Sequence, residues 1–124
     1  MKIDPIYTSK PNSILLKEKG FDVECVSLYT ETGFLNGVGN FYKEDINSNP
    51  NTPKDWCNRP EHWVVIEWLK QVHGIWVSID RYEDNEYFYE TDHHSITYGE
   101  DGTFDTSYEA TEAAINYVLT NLIL

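Results

Sequence analysis

The chain has 124 residues, 40% hydrophobic and 15% aromatic, with 21 acidic against nine basic side chains and a formal charge of −12. That length suits one domain spanning residues 1–124, and the apolar and aromatic content excludes a disordered polymer. The charge argues against direct nucleic-acid binding, which depends on Lys and Arg, and against an acidic membrane surface.

Residues 1–12 read as an extended lead-in punctuated by Pro5 and Pro11. Asn12 or Ser13 is placed to cap a short helix through Ile14, Leu15, Leu16 and Lys19, stopped by Gly20. Phe21 to Thr30 alternates as a strand, with Phe21, Val23 and Cys25 on one face. Gly33, Gly37 and Gly39 mark a turn and an irregular second strand through Val38, Phe41 and Tyr42. The longest loop, residues 43–59, is rich in Asn, Pro and Asp; Trp56 is its expected anchor, and the loop is a candidate recognition element.

The segment from Pro60 to Gly74, PEHWVVIEWLKQVHG, is predicted to be the organising helix. Pro60 suits the first helical position, Glu61 meets the positive end of the helix dipole, and Gly74 supplies the left-handed stop. Val65, Trp68, Leu69 and Val72 share a face at three- and four-residue steps, widened by Trp63 and Val64, while Glu67, Lys70 and Gln71 lie opposite. His62 and His73 sit near the helix ends in structural roles, and a protonated His73 would favour the negative C-terminus. Ile75 to Tyr82 alternates as a strand, Asp84-Asn85 turns it, and Glu86 to Asp92 returns. Ser95 to Tyr98 is a further strand, turned by Gly99 to Gly102 towards Phe104. Thr106 to Glu109 has capping-box spacing and opens a closing helix with Ala110, Ala113, Ala114, Tyr117, Val118 and Leu122 on one face. The order α-β-β-loop-α-β-β-β-α predicts an α+β fold, two or three helices packed on an antiparallel sheet. LLKEKGFDV and WLKQVHGIWV share a helix–glycine–strand outline, which a common junction explains without duplication.

The start, MKIDPIYTSKP, has no apolar signal region, and no window approaches the roughly 18–20 apolar residues of a membrane span, so a cytoplasmic location is expected. Cys25 and Cys57, without close-spaced partners, fit no zinc pattern and read as reduced thiols, one buried in a strand.

After Arg81 come ten carboxylates and no Lys or Arg. Glu83, Asp84, Glu86, Glu90, Asp92, Glu100 and Asp101, interleaved with Tyr and Trp, are the expected binding surface for a basic protein partner. Solvation alone is the plain alternative. Glu90, Asp92 and His94 alternate and would project from one strand face, a mixed oxygen and nitrogen set of the kind Mn or Fe accepts; a solvated strand end has the same spacing. G-x-S-x-G and G-x-x-x-x-G-K patterns are absent, and GEDG at 99–102 lacks the acidic spacing of a calcium loop. No enzyme, resident metal or cofactor is therefore expected. A second reading places a nucleotide-like ring against Trp76, Tyr87 and Tyr89 in a sequestering pocket, and a third makes the chain a homo-oligomeric assembly factor.

LLKEKGFDVEC at 15–25, the W-x-x-x-x-W-L helix followed by HGIWVSI, and the closing FDTSYEATEAAINYVLTNLI resemble, in that order, a group of small proteins encoded in bacteriophages and prophage-like elements of gut anaerobes. The resemblance covers most of the chain outside residues 43–59, and its motifs are structural. The family has no assigned biochemistry, so no functional residue carries over. What the resemblance implies is a phage accessory protein acting in the host cytoplasm, and hence a host protein as partner.

Overall fold

The computed structural model describes residues 1, 3–36, 47, 52–100 and 102–123. The class is α+β, in the expected element order, but with two three-stranded antiparallel sheets in place of one. The chain forms two compact units, Met1–Glu61 and His62–Leu124.

In the first unit, helix α1 spans Lys10–Glu18. Its cap is Ser9, whose side chain accepts from the Asn12 N–H, so Pro11 falls in the first turn and the helix starts earlier than Asn12 or Ser13 would have set it. Gly20, at φ +86°, closes it. The Phe21 N–H reaches Leu16 O at 2.9 Å and the Gly20 N–H reaches Lys17 O at 3.2 Å, which satisfies two terminal carbonyls and folds buried Phe21 back on buried Leu16.

Strands β1 (Ser27–Tyr29), β2 (Phe34–Asn36) and β3 (Cys57–Asn58) pair in the order β2-β1-β3. The strand expected from Phe21 is thus confined to its last residues. Asparagine side chains occupy the earlier acceptors: Asn47 Nδ2 donates to Phe21 O and Asn58 Nδ2 to Val23 O, both at 2.8 Å. The Asn58 N–H in turn donates to Asn47 Oδ1 at 2.9 Å. The expected second strand at Val38, Phe41 and Tyr42 lies outside the described residues, whereas β3 emerges within what read as loop. Trp56 is half-buried, and its Nε1 donates to exposed Glu31 Oε2 at 2.7 Å, a tie to the segment between β1 and β2 in place of the expected anchor in the core.

Tyr7 bridges Glu61, and the Thr8 N–H donates to Pro60 O at 2.8 Å. The Arg59 guanidinium lies 3.8 Å from the Tyr7 ring centroid and 3.9 Å from that of Phe34, a cation held against two aromatic faces.

In the second unit, helix α2 spans His62–His73. Pro60 and Glu61 are not in it, because their backbone is engaged with Thr8 and Tyr7. Val65, Trp68 and Leu69 are buried, but Trp63 and Val72 are 64% and 61% exposed, so the apolar stripe is narrower than its spacing suggested. The His73 pKa is held below its ordinary value by burial first and the nearby His93 second, which disfavours the protonated form at the helix end and agrees with a structural role. Its ring meets the Trp68 edge at 4.7 Å.

Gly74 (φ +66°) leads directly into β4 (Ile75–Arg81), followed by β5 (Tyr87–His93) and β6 (Ile96–Gly99), ordered β4-β5-β6. Thr106 caps α3 (Ser107–Tyr117) by accepting from the Glu109 N–H at 3.1 Å, and a π-helical turn, Val118–Leu122, continues it. Helix α3 packs on β4 and β5 through buried Ala110, Ala114 and Ile115, the small residues allowing close approach. His62 Nε2 and Glu112 Oε2 meet at 2.6 Å and join the start of α2 to α3. Cys25 and Cys57 are thiols, not halves of a disulfide, and Cys57 is buried in β3.

Candidate functional site

Register decides which side chains share a face of the β4-β5-β6 sheet. The pairs Ile75↔His93, Val77↔Thr91, Ile79↔Tyr89 and Arg81↔Tyr87 alternate with Trp76↔Asp92, Ser78↔Glu90 and Asp80↔Phe88. Side chains alternate across a strand, so these are the two faces of the sheet. The first set includes Ile75, Tyr89 and Thr91, all buried. The second is open: Trp76 is 58% exposed, and Ser78, Asp80, Glu90 and Asp92 are exposed. Pairing of Glu90 with Gly99 and Asp92 with Thr97 extends this face onto β6.

Three carboxylates therefore stand among two rings, Trp76 and Phe88, on one open surface. Tyr82 stacks on Phe88 at 4.5 Å and continues the aromatic strip into the hairpin loop, where Glu83, Asp84 and Glu86 are all exposed. Asp92 Oδ1 accepts from Thr97 Oγ1 at 2.6 Å, which fixes its orientation. Lys70 Nζ lies 4.7 Å from the Trp76 ring centroid and 3.0 Å from Glu67 Oε1. The Trp76 ring thus already carries a cation from its own chain. Asp80 and Phe88 were missed by the sequence reading, although the Trp76–Ser78–Asp80 alternation would have placed Asp80 beside Glu90 once the register was known.

Not every predicted acid belongs to this surface. Glu100 shares a hydrogen bond with the Tyr89 hydroxyl. Burial first, then the Glu100 charge, Tyr117 and that bond push the Tyr89 hydroxyl up to about 12. Glu100 is therefore tied to the aromatic group of Tyr89, Phe104, Tyr98 and Tyr117, whose neighbouring ring centroids lie 6.0–6.3 Å apart. Asp101 lies outside the described residues.

The ring-stacking trio is not brought together. Tyr87 and Tyr89 are on the covered face and Trp76 on the open one, because the connection between β4 and β5 gives them opposite parity. The Glu90–Asp92–His94 set fails for a related reason: β5 ends at His93, and His94 turns away at φ +53° with its ring 4.0 Å from that of His93. Among the described residues no three His, Cys, Asp or Glu side chains are grouped so as to hold a metal ion. No described helix is long and apolar enough to cross a membrane. Comparison with protein-family models, with curated proteins and with solved structures finds no match to this chain.

Proposed function

We propose that this chain is a non-enzymatic binding protein whose open β4-β5-β6 face takes an arginine- or lysine-rich segment of a protein partner. The observation that carries this reading is the alternation of Asp80, Glu90 and Asp92 with Trp76 and Phe88 on one solvent-facing surface. Guanidinium and ammonium groups pair with carboxylates and stack on aromatic faces, so both halves of the surface favour the same chemistry. The unit that bears it has twelve acidic residues against two basic ones, a field that draws a cationic partner and repels nucleic acid. The same reading makes the chain a phage accessory protein that engages a basic, nucleic-acid-binding host protein, with an anti-defence or nucleic-acid-mimic role.

The test is titration of a fluorescent arginine-rich peptide at low and moderate salt. Asp80→Asn/Glu90→Gln/Asp92→Asn should weaken binding by about tenfold, three exposed charge pairs at roughly 0.5 kcal/mol each, and Trp76→Ala by about threefold, the worth of an exposed cation–π contact. Asp105→Asn/Glu109→Gln should leave it unchanged, and Lys70→Met, which frees the Trp76 ring, should strengthen it. Equal binding by all four variants would leave only non-specific attraction to an acidic protein and refute the assignment.

A further inference from the structure

The first unit contains a cavity of about 670 Å³, a size typical of small-molecule sites. Lys10, Ile14 and Lys17 line it from one face of α1, and Cys57, 1% exposed, lines it from β3. Both ammonium groups are fixed. Lys10 Nζ donates to Thr30 O at 2.7 Å and Glu31 O at 3.2 Å, and Lys17 Nζ to Trp56 O at 2.7 Å and Lys54 O at 3.1 Å. An ammonium has three N–H bonds, so each lysine retains one beyond these two.

The plain reading is that these lysines only satisfy loop carbonyls. Two observations go further. Burial pushes the Cys57 thiol up, and the charges of Lys17 and then Lys10 pull it the other way, so both charges are felt at the inner wall. Three carboxylates also line the cavity, equal in number to Lys10, Lys17 and Lys54: Glu31 is tied to Trp56 Nε1 and feels the Lys10 charge, while Glu18 and Asp55 are exposed. The formal charges of the lining balance, and what sets Lys10 and Lys17 apart is that both act on buried Cys57 at the inner wall. Because the lysines are already ordered by their carbonyl bonds, a ligand meets donors whose side-chain entropy is largely spent.

We propose that this cavity binds a small organic oxyanion, a carboxylate or phosphate monoester, with its charged oxygens on Lys10 and Lys17 and its carbon body along Ile14. This site is independent of the acidic sheet face, and either can fail without the other.

Calorimetric titration with inorganic phosphate, phenyl phosphate and benzoate tests it. The expected result is saturable binding of phenyl phosphate or benzoate, tighter than inorganic phosphate because Ile14 covers the ring. Lys10→Met should weaken it by about tenfold or more, the usual worth of a hydrogen bond to a charged group. Ile14→Ser, at a half-exposed position, should remove the advantage of the ring-bearing probes, and Lys70→Met in the other unit should change nothing. Absence of saturation with all three probes at millimolar concentration, or equal affinity in wild type and Lys10→Met, would overturn the proposal. Should Lys10→Met not fold, equal affinity of Ile14→Ser for phenyl phosphate would do the same.

Discussion

The turn between β5 and β6 offers a direct test of the register on which the open face depends. His94 and Ser95 connect His93 to its partner Ile96, with φ of +53° and +65°. Two consecutive left-handed residues in a two-residue hairpin are the pattern of a type I′ turn, which favours Asn-Gly. A left-handed conformation costs an L-residue bearing a Cβ about 1–2 kcal/mol. Asn in place of His94 recovers part of that, and Gly in place of Ser95 recovers nearly all of it. The greater freedom of Gly in the unfolded chain takes back about 0.5–1 kcal/mol. His94→Asn/Ser95→Gly should therefore stabilise the second unit by about 1–2 kcal/mol. With a denaturant slope of about 2 kcal/mol per molar urea, the unfolding midpoint rises by about 0.5–1 M. Tryptophan fluorescence during urea unfolding reads this, since Trp63, Trp68 and Trp76 lie in that unit. Ser95→Ala, which keeps the Cβ, should gain nothing. A midpoint unchanged or lowered in the double variant would mean that the turn is not left-handed at these positions, and the face assignment built on it would fall.

Three further outcomes are expected. Thr91 is fully buried and its hydroxyl has no hydrogen-bond partner among the described residues, so the near-isosteric Thr91→Val should stabilise by about 1 kcal/mol in the same assay. Burial holds the His73 pKa below its ordinary value, so between those two values the unfolded chain binds more protons than the folded one. Stability should fall as pH drops below about 6.5 and level off beneath the folded pKa. His73→Gln should show a shallower fall, and identical curves for the two proteins would contradict the assignment. Asn58→Ala removes the buried side chain whose Nδ2 holds Val23 O and leaves that half-buried carbonyl, among the described residues, only the Cys25 thiol as donor, at a cost of about 1 kcal/mol read by hydrogen exchange across residues 21–25.

What the sequence made legible was whatever depends on local chemistry. Thr106 caps α3 because its hydroxyl needs only a neighbour three residues on, and Gly20 and Gly74 stop helices because only their own φ is at stake. Trp68 and Leu69 were correctly assigned to the core from helical spacing. What escaped were properties set by distant partners. The segment 21–25 alternates like a strand, yet Asn47 and Asn58 take its carbonyls. Trp76 cannot be placed opposite Tyr87 and Tyr89 without the parity of the β4–β5 pairing. Val72 has the right helical phase but is largely exposed. The lysines of α1 became a feature only once β3 was known to pass beneath them, although Lys10, Ile14 and Lys17 already shared a helix face.

The bridge between Tyr7 and Glu61 carries a consequence for how the protein is made. The opening stretch of the first unit has its backbone partner more than fifty residues away in the chain, at the unit's last position. During synthesis, Tyr7 and Thr8 must wait until Pro60 and Glu61 have left the ribosome before they can dock. Contacts so far apart in sequence form slowly, because loop closure comes before any reward. A nascent chain halted before residue 60 should therefore remain open to proteases at its amino-terminal end, and extension far enough to bring Glu61 out of the ribosome should close it.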